Sequence, residues 1–339
     1  MRKKFFSAPA LTVSLTLGLL VTLPPPIHAQ AAARNTPKSS ARSFSPPKTA
    51  WGDPDLQGTY TDKDEMGTPM ERPREFEGRR IEEVTPTELA ELARVRREQA
   101  NRAAAAIGGA VGEDTGAGPP HWYEHLDSKT SRPWMIIDPP DGRMPPLAAG
   151  ARPAPPFAAD RADSYEDRSL YDRCITRGVT GSMLPVIYGN SFQFVQAPGY
   201  VAIREEMIHE TRIVPLDGRP HVSSTLTSYM GDARGHWEGD TLVVETRNFT
   251  DKTAIGINGY GNPNSKKLRL TERFTPRGPN TLEWSVTADD PETWVRPWTF
   301  AVNLTKDATQ QVFEYACHEG NYGLTNILTA ARAEEQKHR

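Results

Sequence analysis

After about residue 191, the chain is dominated by short stretches in which apolar and polar residues alternate. Leu268, Leu270 and Phe274 share one parity, as do Leu282, Trp284 and Val286, and again Phe300, Val302 and Leu304. A strand turns successive side chains to opposite faces, so each set predicts a strand with one dry side. The same reading places nine strands over residues 192–196, 200–205, 211–216, 223–229, 240–249, 267–275, 281–289, 298–305 and 311–318. Gly or Asn sits where tight turns need positive backbone angles, as in Pro215-Leu216-Asp217-Gly218, Trp237-Glu238-Gly239-Asp240 and Arg277-Gly278-Pro279-Asn280. A meander of this length leaves two exposed edges unless it closes. The expected fold is therefore mainly β: an antiparallel meander β-barrel of about eight to ten strands over residues 161–333.

Helical spacing appears twice. Thr85 can cap a helix with Pro86 in its first position and Glu88 closing a capping box, which predicts helix over residues 85–106 with an apolar face of Leu89, Leu92, Ala93 and Val95. Leu324, Ile327, Leu328 and Ala331 predict a second helix at the end of the barrel region, before a charged tail at 334–339. Ahead of both, Trp51-Gly52-Asp53-Pro54-Asp55-Leu56-Gln57-Gly58-Thr59-Tyr60 reads as a turn feeding a first short strand. The Gly- and Pro-rich stretch from 109 to about 159 holds one apolar island, Trp134-Met135-Ile136-Ile137, and reads as a wrapping arm, so residues 51–160 form an N-terminal arm.

The front of the chain changes the picture. Arg2, Lys3 and Lys4 precede an apolar run from Leu11 to Leu23, and Ile27-His28-Ala29 offers a small-residue cleavage site, the pattern of a secretory signal over residues 1–29. Residues 30–50 carry almost no large apolar side chain and read as a disordered linker. A secreted or periplasmic location is expected, with no transmembrane segment left after cleavage. In an oxidising compartment the two cysteines of the chain, Cys174 and Cys317, have each other as partner, and a disulfide is expected. A net charge of −3 argues against a partner bound through nucleic-acid phosphates.

The segments Trp51-Gly52-Asp53-Pro54-Asp55-Leu56-Gln57-Gly58, Glu206-Met207-Ile208-His209, Arg212-Ile213-Val214-Pro215-Leu216-Asp217-Gly218-Arg219-Pro220-His221, Trp237-Glu238-Gly239-Asp240-Thr241-Leu242-Val243-Val244-Glu245-Thr246 and Glu314-Tyr315-Ala316-Cys317-His318-Glu319-Gly320-Asn321-Tyr322 resemble those of a large family of secreted, uncharacterised bacterial proteins. The resemblance runs from about Trp51 to the end; in architecture alone, a meander barrel with a flanking helix resembles the calycins, of which lipocalins are members. It implies export, and no activity, ligand or catalytic residue comes with it.

A barrel of this size encloses space for one small organic or saccharide ligand, so polar residues aimed inward are the candidate chemistry. Strict alternation from Tyr200 places Glu205, Met207, His209 and Ile213 on the apolar side and Arg204, Glu206 and Arg212 outside, and a bulge near Ile208 reverses half of that. The acid–base reading, a lyase, isomerase or hydrolase, uses Glu206 as acid or base, His209 as its partner, Arg212 as anion stabiliser, and His318 with Glu319 as a second pair. His221, Glu272, Trp237, Asn321 and Tyr322 are candidate ligand contacts. The structural alternative pairs Glu206 and Glu272 with Arg204, Arg212 or Arg273 as ion pairs bracing strands, in a non-catalytic envelope or ligand-binding protein. In a third reading, imidazoles among His209, His221, His236 and His318 converge to hold zinc or copper, although no cofactor is required. His318-Glu319-Gly320-Asn321-Tyr322 begins like a zinc-protease helix but has Tyr where the second His belongs. Gly259-Tyr260-Gly261-Asn262 lacks the strand and helix of a phosphate cradle.

Overall fold

In a computed structural model, which describes residues 44–110, 131–154, 162–186 and 188–337, nine strands form a barrel-shaped sheet. They are β1 (Gly58–Thr61), β2 (Ser191–Ala197), β3 (Tyr200–Glu205), β4 (Thr211–Pro215), β5 (Asp232–Glu238), β6 (Thr241–Arg247), β7 (Arg269–Gly278), β8 (Thr281–Asp289) and β9 (Trp298–Lys306). Each hydrogen-bonds antiparallel to its neighbours in the order β4-β3-β2-β1-β9-β8-β7-β6-β5. The last strand thus returns to the first, and the gap falls in the middle of the chain, between β4 and β5. Parity explains the gap. Nine directions cannot alternate around a closed ring, so one neighbouring pair must run the same way, and that pair is β4 and β5, which share no ladder. They approach where β5 carries Gly235: a Cβ there would lie 2.7 Å from Leu216 Cδ2 and 2.8 Å from Val214 Cγ1.

Two expected strands fail for reasons the ring makes plain. Parallel neighbours cannot be joined by a tight hairpin, so β4 reaches β5 through a long crossover. Residues 223–229 belong to it, and with Leu226 63% exposed they bury no apolar face and form no strand. Residues 311–318 find no free side of β9 to pair with, because β1 takes one end of it and Ile136–Asp138 the other end of the same side. They run as irregular chain. β5 itself was hidden in the sequence, since Gly235 interrupts its apolar face.

The alternating sets do face inward. Phe192, Phe194, Val201, Ile203, Leu242, Val244, Leu270, Phe274, Leu282, Trp284, Val286, Phe300, Val302 and Leu304 are buried in one cluster. Phe194, Phe274, Trp284 and Phe300 form a chain of ring contacts across the lumen, at 5.2–6.5 Å between centroids. The expected open, polar-dotted interior is instead a packed core holding one cluster of charges.

The helix expected at 85–106 is α1 (Pro86–Ala110), with the capping box formed: Thr85 N donates to Glu88 Oε2 at 2.8 Å, and Glu88 N to Thr85 Oγ1 at 3.3 Å. Val84, Phe76 and Trp134 make a satellite core against which Leu89 and Leu92 pack. The apolar island of the arm is fully buried at Trp134, Met135 and Ile136. The C-terminal helix α2 (Gly323–Lys337) takes in most of the charged tail. Cys174 and Cys317 form a disulfide with Cα atoms 5.6 Å apart. No helix among the described residues is long and apolar enough to cross a membrane. The signal segment 1–29, the linker up to residue 43, the middle of the arm at 111–130, and His121, His125 and His338 lie outside the described residues.

Candidate functional site

The short 3₁₀ turn Met207–His209 joins β3 to β4, with Ile208 and His209 at φ of 56° and 44°. It acts as the bulge that strict alternation leaves out, and β4 is inverted by it. Ile213, expected inside, is 58% exposed, and Arg212, expected outside, points into the barrel. There its Nη1 and Nη2 donate to Glu272 Oε2 and Oε1 at 2.6 and 3.0 Å, and its Nε lies 3.3 Å from Glu205 Oε1. Trp284 Nε1 donates to Glu272 Oε1 at 3.0 Å. Burial pushes the Glu205 carboxyl up to about 8 against the opposing pull of Arg212, with Glu210 and Glu272 adding to the rise. Burial also works against the Arg212 charge, but Glu272 and Glu205 outweigh it and raise the guanidinium above its ordinary value. The Arg212–Glu272 pair of the bracing alternative is present, and the second acid is Glu205, the neighbour of Glu206. A wedge of about 360 Å³ at the seam, between residues 210–215 and 230–234, reaches Arg212 from outside.

The other candidates scatter. Glu206 is half-buried at the start of the turn, and His209 is exposed, its Nδ1 lying 3.1 Å from the carbonyl of Tyr315. His318 and Glu319 are exposed just beyond the disulfide. Asn321 Nδ2 donates to Cys174 Sγ at 3.1 Å, and Tyr322 is 72% exposed. His221 pairs through Nδ1 with Asp232 Oδ2 at 3.0 Å, on the outer side of the seam, and Asp232 also accepts from Val222 N and Arg234 Nη1. Trp237 is half-buried against the core. His236 pairs with its strand neighbour Glu238 at 3.2 Å. These four barrel-region imidazoles do not converge, and among the described residues no three His, Cys, Asp or Glu side chains gather as metal ligands.

A larger cleft, about 600 Å³, lies where residues 166–177 face residues 251–263. Five cations line it, Arg152, Arg168, Arg173, Arg177 and Lys252, against three carboxylates, Glu166, Asp167 and Asp251. Arg177 is 2% exposed, and its Nε and Nη1 have no hydrogen-bond partner among the described residues. Its guanidinium sits 4.4 Å over the ring of Tyr171. On the facing wall, Tyr260 Oη donates to Asp172 Oδ1 at 3.3 Å and is 3.2 Å from Ser169 Oγ. Asn258, at φ 57°, brings a buried Oδ1 that also lacks a partner.

Backbone contact builds this cleft. The one-turn helix Gly178–Gly181 rests against the 256–261 loop so closely that a Cβ on Gly181 would lie 2.3 Å from Gly259 N, and one on Gly259 2.7 Å from the Arg177 carbonyl. The disulfide anchors the same wall, since Cys174 lies among its residues and ties it to the tail carrying Tyr315. The sequence reading passed over this site: neither wall has helical or strand periodicity, and Gly259-Tyr260-Gly261-Asn262 was weighed as a phosphate loop alone. Its one legible sign was glycines at 178, 181, 256, 259 and 261 beside Arg and Tyr.

No family model matches the chain, and neither the curated proteins nor the solved structures contain a match to it.

Proposed function

We propose that the protein is an exported barrel protein that binds a small anionic organic ligand, a uronic-acid saccharide or a carboxylic acid with a ring, in the cleft between residues 166–177 and 251–263. The observation that carries this reading is Arg177. A guanidinium withdrawn from water without its full set of acceptors costs several kcal/mol, so such a group is retained where something else completes it. An incoming carboxylate supplies two acceptors in the geometry that a guanidinium prefers. Tyr171 and Tyr260 offer flat apolar surface to a sugar or aromatic ring, and the excess of cations favours an anion. Export is supported by the disulfide and by the likeness to secreted bacterial proteins. The packed lumen turns the search for the ligand to the outer wall.

The test is calorimetric titration with galacturonate and mandelate beside their neutral counterparts, galactose and phenylethanediol. The acids bind and the neutral compounds do not. Arg177→Met weakens the acids by roughly ten- to a hundred-fold, the loss expected when a hydrogen bond to a charged group is removed. Equal binding of acids and neutral analogues, or binding indifferent to Arg177→Met, sinks the reading.

A further inference from the structure

The wall that carries Arg177 also holds a cluster of phenols. Tyr171 Oη is 3.4 Å from Tyr188 Oη. The Tyr188 ring stacks on Tyr315 with centroids 6.4 Å apart and planes 29° apart. The Arg177 guanidinium covers the Tyr171 ring, and Tyr171 is the phenol of the three that lines the cleft.

We propose that Tyr171 is the acid–base residue of this cleft, taking the proton from the carbon next to the carboxylate of the bound ligand. This inference rests on the anionic-ligand reading above and adds a reaction to it. In the step, the C–H bond breaks, its proton forms the O–H bond of Tyr171, and its electron pair delocalises into the carboxylate as an enolate facing Arg177. Return of a proton from Tyr171 to the same face of the carbon restores the acid, so that in heavy water the α-hydrogen is exchanged without inversion. Where a β-oxygen substituent is present, the pair instead expels it, the proton passes to the departing oxygen, and an unsaturated acid remains. Neither outcome calls for an oxidant or a second reactant.

Three features of the cluster suit the task. A phenol serves as a base only when its anion is stabilised, and a cation over the ring together with donors at the oxygen does that. Burial works against ionisation of Tyr171, but the Arg177 charge over its ring and the neighbouring Tyr188 hydroxyl more than offset it and hold it below the ordinary tyrosine range. Tyr188 and Tyr315 are raised instead, by burial first and by their neighbouring phenols second. One phenol of the three is thus selected to lose its proton, and it is the one in contact with the cleft. On the same wall as Tyr171, Asp172 accepts from Tyr260 of the facing wall and is paired with Arg168 at 3.1 Å.

The first test needs no ligand. Titrating phenolate absorbance of the full chain shows one tyrosine ionising ahead of the rest; Tyr171→Phe abolishes that step, and Arg177→Gln moves it into the ordinary range. Absence of an early step, or its survival in Tyr171→Phe, overturns the proposal. The second test follows deuterium uptake at the α-carbon of mandelate and galacturonate in heavy water. Whichever acid binds exchanges with wild type, and with Tyr171→Phe it exchanges at least a hundred-fold more slowly while its affinity changes no more than a few-fold. A bound acid that fails to exchange, or exchanges equally in the variant, overturns the reaction and leaves the binding reading standing. If neither acid binds, the binding reading fails and the reaction goes with it, whatever the titration shows.

Discussion

Two buried arginines sit in opposite situations. Arg212, inside the barrel, has a bidentate carboxylate on one side and a second carboxylate beside its Nε. Arg177, behind the outer cleft, has a tyrosine ring and two nitrogens without acceptors. Both are almost wholly withdrawn from water. A charge neutralised by its own protein has no use for a ligand, whereas one left short of acceptors is a poor way to stabilise a fold and a good way to recognise an anion. Burial of a charged residue is therefore silent about function until its acceptors are counted.

The contrast yields expectations of decreasing size. Arg212→Met leaves the Glu272 carboxylate in the core without its cation, and urea denaturation should show a loss of about 3–5 kcal/mol. The triple replacement Glu205→Leu, Arg212→Met, Glu272→Leu recovers most of it, because a wholly apolar cluster leaves no charge unpaired. A triple variant no more stable than the single one would mean that the cluster contributes more than neutrality.

Next in size is the disulfide. Cys317→Ser should cost about 2–4 kcal/mol for a closure of 143 residues, and it should also weaken acid binding, because Cys174 belongs to the cleft wall. Thermal denaturation with and without galacturonate separates the two effects.

Arg177→Met inverts the Arg212 result. It removes a charge two of whose nitrogens lack acceptors among the described residues, so stability should stay level or rise by about 1 kcal/mol while acid binding falls. A destabilisation as large as that of Arg212→Met would break the comparison.

The pH dependence comes last because its change is gradual, spread over the interval from about pH 5 to 8. The folded Glu205 carboxyl, raised to about 8, holds its proton where the unfolded one has lost it. Glu65, raised to about 7 chiefly by burial, behaves alike. The folded chain then binds more protons than the unfolded chain across that interval, so this contribution is complete below the unfolded value and is lost as pH rises toward 8. Denaturation midpoints should decline between about pH 5 and 8, and Glu205→Gln should flatten part of the decline. An unchanged slope in that variant would place the raised carboxyl elsewhere.

What was legible in the sequence and what was not follow the same division. Periodicity is a local property, and it sufficed for the seven long barrel strands other than β5, for the capped helix α1, and for the inward faces of Leu282, Trp284 and Val286. A pair of cysteines with no competitor sufficed for the disulfide. The ion cluster was half legible: Glu272 and Arg212 were named as a bracing pair, but the φ reversal at Ile208 and His209, which turned Arg212 inward, is not a feature of alternation. Sequence also paired Glu206 with His209 because they are near in the chain, whereas the turn between β3 and β4 leaves His209 facing the Tyr315 carbonyl.

By itself, then, the sequence determined seven of the barrel strands, their dry faces and the covalent cross-link, because each depends on spacing along a few residues or on a count. Only tertiary structure decided that the ring has nine members and one unladdered seam, that its lumen is filled, and that a cleft exists on its outside. Those outcomes depend on segments far apart in the chain meeting at close range. Nothing in the local pattern of Tyr171 and Arg177 or of the 256–261 loop announces that the loop's backbone lies within touching distance of Gly181.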